Sequence, residues 1–361
     1  MAADVHFARG LNTIPSNPFQ QSALRGELAL ASGSWVKLIC GASNQDLLAI
    51  TDLCAVFAAA GIHCVDVAAD AAVVRAARQG LDWVQARSGF RPWLMVSISD
   101  GKDAHFRKAW FDPARCPSDC SRPCQHACPA EAIGEKGGVQ LSRCYGCGRC
   151  LPTCPLGLID EHDRRLELRD FGPLLAELHP DAVEIHTAPG RAKAFESTVA
   201  ELMSAQVPLQ RIGVSCGLEG HGLTVEALAS ELWQRYVCLR RSGQRPLWQL
   251  DGRPMSGDIG SGTARVAVAL WRKLRPLAPP GPLQLAGGTN AHTITYISSD
   301  HGPAGIAFGG MARRLLQPWL LEAQARHVSL REWPEGWQAA LAQAEQLVRP
   351  WLFRQSGSQA C

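Results

Sequence analysis

The sequence predicts an α/β protein, a (β/α)8-type barrel interrupted between its third and fourth strands by a small cysteine-rich domain. Three observations carry the prediction. Short apolar runs alternate with longer amphipathic stretches along most of the chain, the pattern of buried parallel strands joined by crossover helices. Eight such runs can be counted, and eight is the number at which a parallel sheet closes on itself. About eighty residues separate the third run from the fourth, far more than one helix needs, and the excess holds eight clustered cysteines.

In chain order the strand runs are 36–41 (VKLICG), 62–68 (IHCVDVA), 93–99 (WLMVSIS), 182–186 (AVEIH), 211–216 (RIGVSC), 246–251 (PLWQLD), 282–287 (PLQLAG) and 305–309 (GIAFG). Helical spacing marks 46–60, 71–85, 191–205, 224–241, 262–274 and 311–325. Residues 1–34 form an N-terminal arm, 35–106 and 166–328 the two parts of the barrel, 107–165 the insert, and 329–361 a tryptophan-rich terminal helix and tail. The segment 275–282 (RPLAPPGP) is a stiff connector. An open doubly wound sheet is the alternative; a Gly-x-Gly-x-x-Gly turn after the first strand, which would favour it, is absent.

With 46% hydrophobic residues in 361, the chain can bury a large core, and its length suits about two domains. A net charge of +3 with scattered Lys and Arg lacks the footprint that phosphate binding needs, which argues against nucleic acid as a partner. No signal segment opens the chain and no run approaches ~18 uncharged apolar residues, so no membrane span is expected and the cytoplasm is the expected location. In a reducing compartment, clustered cysteines are more often metal ligands than disulfides. Cys40, Cys64 and Cys216 fall in strands and Cys54 and Cys238 in helices, where buried thiols act as small hydrophobes.

The strongest motif is Cys144-Tyr-Gly-Cys147-Gly-Arg-Cys150-Leu-Pro-Thr-Cys154-Pro155, the C-x2-C-x2-C-x3-C-P run of bacterial two-cluster ferredoxins. Three closely spaced thiolates wrap one corner of an iron–sulfur cube, Gly146 and Gly148 let backbone amides approach the sulfides, and Pro155 turns the fourth cysteine toward the other cluster. Upstream, Cys116, Cys120, Cys124 and Cys128-Pro129 form a looser partner with x3 spacing throughout. Intervals of four could also place these cysteines on one helical face, but Pro117, Pro123 and Pro129 oppose a continuous helix. Exchange of the last cysteines would leave one cluster on Cys144, Cys147, Cys150 and Cys128 and the other on Cys116, Cys120, Cys124 and Cys154. Two [4Fe–4S] clusters are expected, and the longer loops of the second set could permit a [3Fe–4S] form. Zinc knuckles would not require runs of four closed by Cys-Pro, and the C-x3-C-x2-C triplet of radical S-adenosylmethionine enzymes is absent.

Ligands of such barrels sit at the C-terminal strand ends, often with an anion site after strands seven and eight. Gly287, Gly288, Thr289 and Asn290 follow the seventh run and Gly309 and Gly310 the eighth, where they could offer amides to an anion or cofactor or simply make tight turns. Asp251, Arg253, Ser256 and Asp258 lie on a polar loop after the sixth run and could line a pocket or stabilise the loop itself. His186 ends the fourth run; with no partner visible in sequence it reads as structural.

The segments Val36-Lys37-Leu38-Ile39-Cys40-Gly41-Ala42-Ser43-Asn44-Gln45-Asp46 and Cys64-Val65-Asp66-Val67-Ala68-Ala69-Asp70, the cysteine insert, and the loop Gly252-Arg253-Pro254-Met255-Ser256-Gly257-Asp258 together resemble the light-dependent period family of cyanobacteria, from about Ser34 onward. That resemblance implies an iron–sulfur protein in the input pathway of the circadian clock, reporting redox state through the plastoquinone pool and a quinone-linked redox donor, with clock input and oscillator proteins as partners. Two alternatives stand beside this redox sensor. One is a flavin- or quinone-linked oxidoreductase with a cofactor at the barrel rim, although no acid–base or nucleophile constellation is visible in sequence. The other is an assembly or scaffold factor with structural clusters.

Overall fold

The computed structural model describes residues 18–134, 137–218, 222–253, 260–298 and 302–354. The chain opens with α1 (Pro18–Ser32), then β1 (Trp35–Gly41), α2 (Leu47–Ala59), β2 (Cys64–Ala68), α3 (Ala71–Ser88) and β3 (Trp93–Ser99). The insert carries β4 (Arg107–Trp110), α4 (Pro123–Ala127) and β5 (Asp160–Asp163). The barrel resumes with α5 (Phe171–Leu178), β6 (Ala182–His186), α6 (Ala192–Ser204), β7 (Arg211–Gly217), α7 (Val225–Arg241), β8 (Pro246–Asp251) and α8 (Ala264–Leu274). It closes with β9 (Leu283–Ala286), β10 (Gly305–Phe308) and α9 (Gly310–Ala325), and α10 (Pro334–Leu352) follows.

Eight parallel strands close in the order β1-β2-β3-β6-β7-β8-β9-β10, with Trp35↔Gly305 to Leu38↔Phe308 sealing the ring. This closure removes the open-sheet alternative, because both of its edges are paired. The predicted strand 62–68 starts two residues late, after the positive-φ turn at Gly61, and 282–287 ends early because Gly287 takes φ 57°. The helix α5 was not expected from its sequence, FGPLLAEL. Its proline stands in the first turn, where a missing N–H breaks no intrahelical bond.

Caps set several helix ends. Asp70 accepts from Ala72 N and Val73 N at the start of α3, which stops at Gly89 in the left-handed region, φ 70°. Helix α2 is buried along Ile50–Ala58 because α3 packs so close that Gly80 lies against the Thr51 carbonyl, where a Cβ would come within 2.2 Å. Among described residues the N-terminal arm is helix α1, which lies on the N-terminal end of the barrel. There Trp93 Nε1 donates to Ser22 O (3.0 Å), Glu27 receives a two-pronged ion pair from Arg211 (2.9 and 2.7 Å), and Trp35, Trp93, Met95 and Leu247 form a separate apolar cluster. Among described residues no helix is long and apolar enough to cross a membrane.

Candidate metal centre

The insert leaves the barrel after β3 and is framed by β4 and β5, antiparallel from Arg107↔Asp163 to Trp110↔Asp160. Prolines keep the first cysteine loop from becoming one helix. Helix α4 is a single turn with Pro123 at its start, and it stops at Cys128, ahead of Pro129. The eight cysteines fall into two groups. Cys128, Cys144, Cys147 and Cys150 line one small cavity with Ala132 and Ile133. Cys116, Cys120, Cys124 and Cys154 line another with Phe111 and Ile159. In each group three cysteines come from one loop and the fourth from the other, next to its Cys-Pro turn.

The two turns repeat one local geometry. Ala132 N donates to Cys128 Sγ at 3.3 Å and Leu158 N to Cys154 Sγ at 3.4 Å, four residues on in both cases. Ala109 N points at Cys144 Sγ and Arg122 N at Cys120 Sγ, both at 3.4 Å. Amide donors of this kind stabilise thiolate sulfur and tune an attached metal. Burial, then the neighbouring Cys147, Cys128 and Cys144, push the Cys150 thiol up to about 12, and burial likewise raises Cys124 and Cys147. None of the eight is in a disulfide. Sulfurs crowded this way can lose their protons together only if a cation compensates them, so the residues present fit an iron–sulfur cluster.

Gly146 and Gly148 serve the junction with the barrel. Both have positive φ (72° and 76°); a Cβ on Gly146 would lie 2.2 Å from the Arg107 carbonyl, and Gly148 lies against the Arg107 guanidinium. Arg107 Nε donates to Gly146 O (3.0 Å) and its guanidinium pairs with Glu161. Tyr145 lies under the Arg313 guanidinium, 4.1 Å from the ring centre, and Arg313 Nη1 donates to Ile39 O in β1 (2.7 Å). Gln45 N donates to Ser142 O (2.9 Å), Lys108 Nζ to Gln45 Oε1 (2.7 Å), and Arg143 Nη2 to Gln324 Oε1 (2.7 Å). The Cys144 loop is thereby fastened to the β1–α2 loop, to β1 and to α9.

At the rim Thr289 and Asn290 bond to neighbouring backbone carbonyls. Gly287 packs on the Arg253 backbone, Thr289 Oγ1 donates to Ala307 O (2.5 Å), Asn290 Nδ2 to Gly260 O (2.8 Å), and Asn290 N to Thr293 Oγ1 (2.9 Å). Gly309 and Gly310 open α9. Asp251 faces the barrel interior and accepts from Ser215 Oγ; Ser256 and Asp258 lie outside the described residues.

The barrel interior holds what the sequence reading missed. Lys37 Nζ is fully buried between Asp66 (3.1 Å) and Glu184. Glu184 Oε1 also accepts from Gln249 Nε2 (2.7 Å) and lies 3.2 Å from His186 Nε2, and a relay of Gln284 and Trp35 Nε1 continues the network. Burial alone would raise Glu184, but the Lys37 ammonium and His186 outweigh it and hold the carboxyl at about 2. Burial opposes charge on His186, yet Glu184 and Asp103 lift it to about 9. The available signal was a single charge inside each of the runs VKLICG, CVDVA and AVEIH.

The family model described as the LdpA Fe-S cluster-binding domain matches residues 116–165, and the Light dependent period A C-terminal domain matches 174–350. The protein named Light dependent period A from Synechococcus elongatus is 46% identical over 331 residues, 89% of this chain and 92% of that one. An uncharacterized ferredoxin of Methanocaldococcus jannaschii is 42% identical over 74 residues, 20% of this chain and 40% of that protein. Among solved structures, Mycobacterium tuberculosis tryptophan synthase aligns at a TM-score of 0.43 and 10% identity, over 91% of this chain and 96% of that one, which adds nothing to the topology above.

Proposed function

This chain belongs to the light dependent period A family and carries its iron–sulfur-binding domain, and from that premise we propose that it is a redox sensor in light-dependent input to the circadian clock. The observation that supports this most is the division of the eight cysteines into two groups of four, each completed by a cysteine from the opposite loop. In this reading Cys128, Cys144, Cys147 and Cys150 hold one [4Fe–4S] cluster, and Cys116, Cys120, Cys124 and Cys154 hold a second, of [4Fe–4S] or [3Fe–4S] type. Such groups supply one-electron exchange when bound, at potentials set by burial and by amide donors to sulfur.

The chain's own part is to turn a change of charge at the thiolates into a change of surface. Tyr145, Gly146, Ser142 and Arg143 sit next to or between the ligands and grip Arg313, Arg107, Gln45 and Gln324, so a shift of the Cys144 loop moves the β1–α2 loop and α9. A quinone-linked donor sets the redox state, clock proteins in the cytoplasm read the surface, and nucleic acid takes no part. The test is hydrogen exchange on oxidised and dithionite-reduced protein. Altered protection in 39–46 and 141–146 is expected, whereas identical exchange in both states would make the protein a carrier or a scaffold. The oxidoreductase alternative draws on the charged barrel interior, and flavin recovered in stoichiometric amount from the purified protein would put it ahead.

A further inference from the structure

The C-terminal mouth of the barrel gathers three metal-ligating side chains that the cysteine groups do not use. His186 ends β6, while Asp103 and His105 belong to the turn between β3 and β4. Asp103 Oδ1 lies 2.8 Å from His105 Nδ1 and 4.0 Å from His186 Nδ1, and ligand atoms of all three residues lie within 4.8 Å of one another. Asp103 is fixed there because the same oxygen caps its turn, accepting from His105 N (2.8 Å).

His186 carries the argument. Its side chain is only 8% exposed, its Nε2 is engaged with Glu184, and its Nδ1 is buried without a hydrogen-bond partner. A buried ring nitrogen left this way is costly. The 4.0 Å gap to the Asp103 carboxylate is too long for a hydrogen bond, but two metal–ligand bonds of ~2.1 Å can span it. The imidazole held from behind by a carboxylate, itself held by Lys37 and Gln249, is the arrangement that orients a histidine ligand and raises its basicity. Charge points the same way. Asp66, Asp103, Glu184 and Asp251 surround the interior, and among the described residues Lys37 is the one lysine set among them. The nearby Arg191 is taken up by Asp100 instead, at 3.3 Å.

We propose that Asp103, His105 and His186 bind one divalent transition-metal ion at the barrel mouth, a site separate from the cysteines. Two imidazoles and a carboxylate favour zinc or ferrous iron over magnesium or calcium. Three protein ligands leave positions open for water or for an oxygen-bearing small molecule, which makes the barrel a ligand-binding unit as well as a scaffold. His105 and Phe106 lead directly into Arg107, so the ion would lie at the root of the strand that carries the insert.

The test is an anaerobic calorimetric titration of the iron–sulfur-loaded protein with Zn²⁺, with iron measured before and after. His105→Ala and Asp103→Asn are the variants, since both side chains are partly exposed and their loss should not unfold the barrel. The proposal expects one equivalent bound with no iron released, weakened at least tenfold in each variant, and weakened about 10- to 100-fold in Glu184→Gln through loss of the supporting carboxylate. Three results would overturn it: no binding, one equivalent bound equally well by the variants, or binding matched by iron release. The first two would leave His186 an imidazolium held between Glu184 and Asp103, and the third would place the zinc on the cysteines.

Discussion

The barrel and the insert solve the problem of cohesion differently. The barrel has a continuous apolar core running from the strands through α2, α3, α9 and α10, with Phe57, Phe195, Trp248 and Trp351 fully buried. The insert's core is small, and three of its eight buried members, Cys124, Cys144 and Cys150, are the very thiols assigned to the clusters, so hydrophobic burial alone is a weak source of its stability. Domains of this size without a sufficient core draw folding energy from bound metal. The barrel is therefore expected to fold without iron, and the insert is not.

The largest effect follows directly. Stripping iron with a chelator under anaerobic conditions should abolish amide protection across 107–163 while the barrel strands keep theirs, as read by hydrogen exchange. Simultaneous loss of both would break the comparison. A narrower cut is Cys147→Ser, which should remove the iron of one group, about half the total, and leave the thermal transition of the barrel in place; iron analysis with calorimetry decides it.

On the barrel side, Lys37→Met should lower stability by about 3–5 kcal/mol, because Asp66 and Glu184 lose their buried counter-charge, with iron content unchanged. Denaturant unfolding measures the first and iron analysis the second. A smaller and pH-dependent effect belongs to Asp251. Burial, with Glu184 nearby, raises its carboxyl to about 6 from the ordinary 3.8, so between those values the folded state keeps a proton that the unfolded chain releases. Its contribution is full below pH 3.8 and is lost as pH rises through about 6, at most about 3 kcal/mol. Unfolding curves across pH 4–7 should therefore fall less with rising pH in Asp251→Asn than in the unsubstituted protein.

Much of this fold is legible because strands buried on both faces write themselves as β-branched and apolar runs; each of the eight runs became a strand, with ends displaced by one residue or, after the turn at Gly61, by two. The cysteine spacing is as legible, since ligand geometry is local. The charged interior is not. Lys37 and Asp66 come from neighbouring strands and Glu184 from a strand far along the chain, and only the barrel register, Lys37 beside Cys64 and Ser97 beside Glu184, brings them together. Asp103 and His105 carry no signal for a related reason: they lie in a short turn without periodicity, and His186 meets them only because β3 and β6 pair. At the rim the paired glycines promise open amides, but whether a turn faces solvent or its own side chains depends on neighbours such as Arg253 and Gly260, which spacing does not reveal.

The central claim, two redox-active clusters held by eight cysteines on an independently stable barrel, is tested most directly by an anaerobic redox titration of the purified protein followed by electron paramagnetic resonance and optical absorption, with iron, sulfide and flavin quantified. Iron and sulfide near eight each, or seven iron with a three-iron group, two reversible cluster signals and no flavin are the predicted result. A single cluster, iron without acid-labile sulfide, or signals that do not titrate reversibly would contradict it.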